Sequence, residues 1–270
     1  MRITLKIHCE KLSQALPATV FLETQTAIEF HNAERGLRHP TSLYAHSLRT
    51  VVEAFNRVLD ELDALSQVDA RKRLGSIPAT ALARDTESLI HAVFEHVEHC
   101  KSVVLVFAHD LSSKEQGKRI RGFSATAQDA RAFAGSQANT IKHSQGSVRL
   151  MQMVGDRVVV PGYYIEGVDA EGMISPHPEV HPGGRTAFSF GRALRYLACS
   201  VRFVSGALVS SLDAAHRLDD SRIGLGPLAA IFGRLAGFDR YVFPGEGGEV
   251  VPSIAVRGSA LVIDFPSRDR

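Results

Sequence analysis

The sequence contains no tryptophan, and aromatic residues make up only 7% of the chain. Proteins that bind single-stranded nucleic acids without sequence preference commonly stack the bases on aromatic side chains, so a stacking platform of that kind is disfavoured. The three cysteines are widely separated and form no Cys-x-x-Cys pair. This odd number and spacing argue against a disulfide framework and a cysteine-based zinc site, and they predict a reducing, cytoplasmic environment.

Neither positive nor negative charge is in large excess, because the chain has 31 Lys and Arg residues and 29 Asp and Glu residues, for a net charge of +2. A phosphate-bearing partner would therefore have to be recognised by a local patch. The N-terminal residues alternate apolar and polar, unlike a secretory signal, and no apolar run is expected to span a bilayer. The motifs GxxxxGK[ST], GxSxG and HExxH and a GxGxxG after a strand are absent, which disfavours the nucleotide hydrolases, serine hydrolases, metalloproteases and dinucleotide-dependent enzymes that use them.

Four stretches carry apolar residues at alternating spacings of three and four, the pattern of amphipathic helices. They cover about residues 41–65, 80–107, 118–143 and 189–212. Thr41 or Ser42, after Pro40, is expected to be the N-cap of the first. The valine-rich end of the second, after Cys100, also suits a buried strand. A short apolar helix, LGPLAAIFGRLAG, is expected to follow the fourth.

Strands are predicted where Val, Ile and Tyr concentrate. They are expected at 3–8 and 19–22, on both sides of the Asp-Ala-Glu-Gly turn within 156–177, and in three short pieces from Tyr241 onward. We therefore predict a mainly α fold: a helical bundle with an inserted β-hairpin and a small C-terminal β segment. The expected segments are 1–40 (strands and linker), 41–150 (bundle), 151–188 (hairpin and loop) and 189–270 (further helices and β segment), together forming one or more domains.

The third predicted helix ends in the stretch ANTIKHSQ, where Asn139 precedes His143 by four residues. This pair resembles the signature of the HEPN (higher eukaryotes and prokaryotes nucleotide-binding) superfamily, helical bundles that include ribonucleases of toxin and phage-defence systems. In that family an Arg, commonly followed by Asn, precedes a His on one helix, and two copies meet across a dimer. Here Ala138 occupies the position of the Arg, so the positive charge would have to come from Lys142 or from an Arg elsewhere.

The resemblance implies a homodimer that acts on RNA or a nucleotide in a stress or defence setting. His143 would act as acid or base, since an imidazole suits proton transfer near neutral pH. Asn139 would orient the imidazole or the phosphate, and Lys142 would stabilise phosphate charge. No cofactor or metal is implied. The structural alternative is that Lys142 and His143 stabilise the negative end of the helix dipole, with Gly146 closing the turn.

Three other histidine patterns allow weaker hypotheses. Arg84 and His91 have six intervening residues, the outer limit of the same family spacing. His91, Glu95 and His99 recur at every fourth residue and could form one wall of a metal site, although a solvated helix face is the simpler interpretation. His177 and His181 lie in a proline-rich loop, where two imidazoles alone are too few for a structural zinc site.

Two basic clusters are candidates for phosphate binding. One lies near the start of the third predicted helix and the other on the fourth, where the arginines are expected on the outer face. Their members are Lys118, Arg119 and Arg121 in the first cluster and Arg192, Arg195 and Arg202 in the second. The functional hypothesis is an RNA- or nucleotide-directed component, a metal-independent ribonuclease; the alternative is a non-enzymatic scaffold whose loop and hairpin contact a partner.

Overall fold

The computed structural model describes residues 3–25, 38–66, 79–144, 146–154, 159–169, 171–182, 187–212, 223–244, 246 and 252–265. Within these ranges the fold is mainly α, as predicted. The helices are α1 (Pro17–Glu23), α2 (Pro40–Ser66), α3 (Ala79–Phe107), α4 (Ser113–Thr126), α5 (Gln128–His143), α6 (Phe190–Leu212) and α7 (Ala229–Leu235). The strands are β1 (Ile3–His8), β2 (Val148–Val154), β3 (Val159–Val168), β4 (Ile174–Pro176), β5 (Phe188–Ser189), β6 (Ser253–Arg257) and β7 (Ala260–Phe265).

Helix α6 lies at the centre of the bundle and contacts α1, α3, α4, α5 and α7. Six of its apolar residues that follow the three-and-four spacing are all buried: Leu194, Leu197, Val201, Val204, Leu208 and Leu212. By length and mean hydropathy α6 could cross a membrane, although no membrane-spanning run was expected from the sequence. Because 72% of its most apolar window is buried inside the protein, the same features also suit the core helix of a bundle.

The predicted helices are confirmed, with corrections at residues 19–22 and at the start of α2. Helix α3 continues to Phe107, so its valine-rich end is helical rather than a strand. Residues 19–22, predicted as a strand, belong to α1, which has Pro17 in its first turn; such short apolar runs do not distinguish strand from buried helix. Helix α2 begins at Pro40, and Thr41 donates to the Leu22 carbonyl (3.0 Å) instead of capping the helix. The linker before Arg38 and the break between α2 and α3 lie outside the described residues.

The third predicted helix is two helices that meet at Ala127. Its ψ of 4° departs from the α-helical value near −42°, while its N–H still reaches the Phe123 carbonyl at 2.8 Å. Helix α4 begins at Ser113 rather than Lys118, because Ser112 and Glu115 form a capping box in which each side chain accepts the other's backbone N–H.

Two antiparallel sheets complete the fold. Strand β3 pairs with β2 along one edge and with β4 and β5 along the other. The β3–β4 turn confirms the predicted hairpin, whereas β2 was not predicted. In the second sheet β7 lies between β1 and β6, which confirms the strands predicted at 3–8 and for the last two pieces of the tail. Tyr241 belongs to a 3-10 helix, Phe238–Tyr241, rather than to a strand.

Candidate functional site

Asn139, Lys142 and His143 are all exposed at the C-terminal end of α5. The opposite side of this helix is buried through small residues such as Ala130, Ala134 and Ala138, which allow close packing on the bundle. Asn139 and His143 share one outward stripe because they are four residues apart. The structure therefore places the three motif residues on an accessible surface at one end of one helix.

Asn139 also lines a groove of about 370 Å³ on the outer side of α5. Gln128, Arg131, Ala132, Gly135 and Ser136 of α5 line it too, together with Ser124 of α4 and Phe94 of α3. Arg131 is the notable member, since the motif lacks an arginine at Ala138. The sequence spacing did not identify it, because it precedes Asn139 by eight residues, or about 12 Å along the helix axis.

Contacts with α3 hold the groove in shape. Arg131 Nε lies 2.7 Å from Glu98 Oε1, which fixes the guanidinium on the groove wall while about half of the side chain remains exposed. A Cβ on Gly135 would lie 3.0 Å from the Phe94 ring, so the helices approach this closely only because the residue is glycine. The groove therefore combines a fixed cation, an aromatic wall and the Asn139 amide.

The end of α5 is closed by backbone contacts. Ser144 N–H donates to the Thr140 carbonyl at 2.9 Å, and Lys142 and His143 occupy the last turn, where positive charge is favoured. Gly146 is required for a different reason from the one predicted: a Cβ there would lie 2.8 Å from the Glu166 carbonyl of β3. A dipole-stabilising role for the two basic residues is compatible with this geometry and does not exclude contact with a ligand.

The first basic cluster is accessible. Lys118 and Arg121 are exposed on α4, and Arg119 is half-buried. Helix α4 is the least apolar of the long helices of the bundle, and its only buried side chain is Phe123. These residues remain candidates for phosphate contact.

The second basic cluster is not on an outer face, and that prediction was wrong. Arg192 and Arg195 are buried and Arg202 is half-buried, because α6 is surrounded by other elements on most of its sides. Arg192 pairs with Glu246 (3.2 Å), and Arg195 pairs with Asp239 (2.7 Å) and donates to the Leu235 carbonyl. Burial lowers the pKa of the Arg202 guanidinium. Arg192 and Arg195 are therefore not available to a polynucleotide at the surface, and Arg202 is only partly accessible.

In the structure, the residues of the weaker histidine patterns differ in their exposure. Arg84 is exposed and lies 3.7 Å from Asp85, and His91 is half-buried. Glu95 is exposed, whereas His99 is half-buried. Among the residues that the structure describes, no group of three or more His, Cys, Asp or Glu side chains could hold a metal ion.

His96, which lies in the same stretch but outside the His91–Glu95–His99 pattern, is fully buried. Ser47 donates its hydroxyl proton to the Tyr44 carbonyl, so its Oγ accepts the proton on His96 Nδ1, 2.9 Å away. The free Nε2 lone pair faces Cys100 Sγ at 3.8 Å. Burial lowers the pKa of His96 to about 3, so the ring is neutral at physiological pH. The contacts that run from Ser47 through His96 to Cys100 link α2 to α3 in the core.

The His177–His181 loop also carries a buried histidine. His181 packs on Phe188, with ring centroids 4.6 Å apart, and its Nε2 accepts the Ile165 N–H at 3.0 Å. Near it, Tyr163 donates to Gln137 at 2.9 Å. The sequence pattern identified the two histidines of this loop, but it did not indicate that the loop packs back onto β3.

Comparison of the chain with protein-family models, with curated proteins and with solved structures finds no match. The resemblance to the HEPN superfamily therefore stays a prediction.

Proposed function

We propose that this protein acts on RNA or a nucleotide through the groove and the exposed end of α5, as a component of a stress or defence system. The observation that carries the proposal is the presence of Arg131 and Asn139 in one groove, followed on the same side of α5 by Lys142 and His143. Arginine and lysine contact phosphate oxygens, and amide groups contact bases or phosphates. The groove volume is within the range of small-ligand sites.

In this proposal Lys142, next to His143, supplies the positive charge that is missing at Ala138, and Asn139 positions the phosphate or the imidazole. Arg131, about 18 Å from His143 along the helix axis, holds another phosphate of the same strand. His143 takes the proton of a ribose 2′-hydroxyl as that oxygen attacks the adjacent phosphorus, the bond from phosphorus to the 5′-oxygen breaks, and water protonates the departing oxygen, leaving a 2′,3′-cyclic phosphate in a metal-independent ribonuclease step. Lys118, Arg119 and Arg121 on α4 would extend the contact to further phosphates.

The decisive experiment compares RNA cleavage and RNA binding by the wild type and by His143→Ala. Total RNA and a tRNA pool serve as substrates, and fluorescence anisotropy with a labelled oligoribonucleotide measures binding. His46→Ala is the matched control, because His46 is an exposed histidine on α2. We expect cleavage to be lost in His143→Ala and retained in His46→Ala, with thermal melting unchanged in both.

Binding is tested separately with Arg131→Gln and Asn139→Ala. Both changes should weaken RNA binding several-fold. Arg131→Gln should also reduce the salt dependence of RNA binding, because each phosphate contact that is made releases a counterion. If the wild type binds RNA without cleaving it, the ribonuclease step is wrong and a binding function remains. If it does not bind, the proposal as a whole is wrong.

The proposed homodimer is tested by light scattering on the eluting protein. If two copies share the α5 site, RNA binding and dimerisation should weaken together when the exposed end of α5 is changed. A monomer that cleaves RNA would contradict the dimeric arrangement while leaving the groove as the site.

A second candidate function, a non-enzymatic interaction protein, is favoured by the β3–β4 hairpin. Val168, Met173 and Ile174 at its tip are each more than half exposed, although they are apolar. Exposed apolar groups that lie together commonly mark contact surfaces. If the protein is a non-enzymatic interaction protein, replacing all three residues with serine should abolish binding of its partner. If the α5 groove binds RNA, the same replacement should leave RNA binding unchanged.

A further inference from the structure

A second cluster of polar groups lies between β3, the His177–His181 loop and the start of α6. The loop is fixed to β3 at two points: His177 N–H donates to the Ile165 carbonyl at 2.8 Å, and Ile165 N–H donates to His181 Nε2 at 3.0 Å. A Cβ on Gly167 would lie 2.7 Å from His177 Cα, so glycine permits this close approach. The position of the His181 ring is therefore set by the backbone.

The hydrogen bond from Ile165 determines the tautomer of His181. Because Nε2 accepts an N–H, it carries no proton, and the neutral ring holds its proton on Nδ1. The His181 residue is only 6% exposed, and its Nδ1 has no hydrogen-bond partner among the residues that the structure describes. His181 thus presents a buried N–H donor without an acceptor.

Arg192 presents a second such donor. Its Nη1 pairs with Glu246 at 3.2 Å, but its Nε–H is buried and lacks a partner within the described ranges. Arg192 Cζ lies 5.4 Å from the centroid of the Phe188 ring, the same ring on which His181 packs. Nδ1 of the neighbouring His177 is a third buried nitrogen without a described partner. Two unmet donors, on His181 and Arg192, therefore lie against one aromatic side chain.

The surroundings favour an anion over a metal ion. The His181 lone pair is already used by Ile165, and the Arg192 guanidinium repels cations. The Glu246 carboxylate beside it accepts N–H groups from Ser189 and Phe243 as well as from Arg192, so the start of α6 already stabilises one carboxylate. Burial, together with His177 and Arg192, lowers the pKa of His181 to about 4, which keeps its Nδ1 proton available as a neutral donor.

We propose that this cluster binds a small oxyanion, a phosphate or a carboxylate, through His181 Nδ1–H and Arg192 Nε–H. Both side chains are less than a tenth exposed, so the ligand is a small molecule and not a polynucleotide. The site is separate from the α5 groove and does not depend on the function proposed for it. Leaving buried donors unpaired costs free energy comparable to a lost hydrogen bond, and an oxyanion would satisfy both.

Thermal melting of the full chain tests the proposal with inorganic phosphate and with acetate, each against sodium chloride at equal ionic strength. We expect one or both anions to raise the Tm in a saturable way. Arg192→Lys should raise the half-saturating concentration at least tenfold, because lysine keeps the charge beside Glu246 but lacks the Nε–H. The control Arg149→Lys, at an exposed ion pair with Glu166 on β2 and β3, should not change it.

A response to phosphate alone would indicate a tetrahedral ligand, and a response to acetate alone would indicate a planar one. Equal melting in phosphate, acetate and chloride would overturn the proposal, and so would an unchanged response in Arg192→Lys. Because that variant could fail to fold, nitrogen NMR of histidine-labelled wild type provides a second readout. The anion should shift the His181 Nδ1 resonance, and no shift at saturating anion would reject the site.

Discussion

Arg131 and Asn139 line one groove, although two turns of α5 separate them. A ligand that contacts both must extend along the helix, as a nucleotide or a short stretch of RNA would. The groove is therefore better suited to an elongated phosphate-bearing ligand than to a compact one.

Gly135→Ala should reduce ligand binding in the groove. The new methyl group would lie 3.0 Å from the Phe94 ring, which must move and change the aromatic wall. We expect RNA affinity to fall several-fold in anisotropy measurements. Gly122→Ala on α4, where a Cβ meets nothing within 4 Å, is the matched control and should retain full affinity. Equal affinities in both variants would show that the Phe94 wall is not part of the binding surface.

Acid should destabilise the protein below about pH 6.5. The unfolded state binds a proton at His96 near its ordinary pKa of 6.5, whereas the folded state resists this until about pH 3. The stability that the neutral His96 ring contributes is therefore fully present above pH 6.5 and is lost progressively as the pH falls toward 3. His181, whose pKa is lowered to about 4, acts in the same direction.

Melting curves from pH 7.5 to 4.5 measure this effect. In His96→Leu the decrease in Tm with falling pH should be shallower than in the wild type, whatever the Tm of the variant at pH 7.5. His46→Leu, at an exposed position on α2, is the control. The same slope in His96→Leu and the wild type would mean that His96 does not contribute to acid unfolding.

Ser112→Ala should destabilise the protein by about 0.5–2 kcal/mol, the usual effect of losing an N-cap. Ser112 Oγ accepts the Glu115 N–H and also donates to the Glu115 carboxylate at 2.6 Å, which lowers the pKa of that carboxyl. Chemical denaturation measures the change. Ser113→Ala, one residue later and equally exposed, should have little effect; a loss as large as that of Ser112→Ala would contradict the capping role.

Ile263→Ala should destabilise the protein by about 2–5 kcal/mol, because Ile263 is fully buried on the central strand β7. Val256→Ala, at an exposed position on β6, should change the free energy of unfolding by a few tenths of a kcal/mol. Denaturant unfolding compares the two. Similar small effects would indicate that the β1–β7–β6 sheet contributes little to the stability of the bundle.

The long helices could be predicted because their apolar spacing reflects one continuous core. The capping box was also visible in the sequence, as Ser112 followed three residues later by Glu115, and it would have placed the start of α4 correctly. Likewise His96 follows Val93 by three residues and precedes Cys100 by four, so its spacing indicated the buried stripe. In these cases the local signal is present in the sequence.

Other features depend on distant contacts that no local pattern encodes. Arg192 is buried because Glu246, 54 residues later, pairs with it, so its position on the helix alone could not predict its environment. The same is true of Arg131, whose place in the groove depends on Glu98 in α3. The resemblance at Asn139 and His143 identified an exposed helix end.

The pairing of β1 with β7 has a consequence for how the chain is made. Thr4 donates to Asp264, 260 residues later, so β1 emerges from the ribosome long before its partner exists. At ordinary synthesis rates the wait is about 10–50 s. Throughout that time the backbone groups of β1 lack their ladder partners, and an unpaired strand edge attracts other chains. Newly made molecules should therefore depend on chaperones most strongly just before β7 is completed.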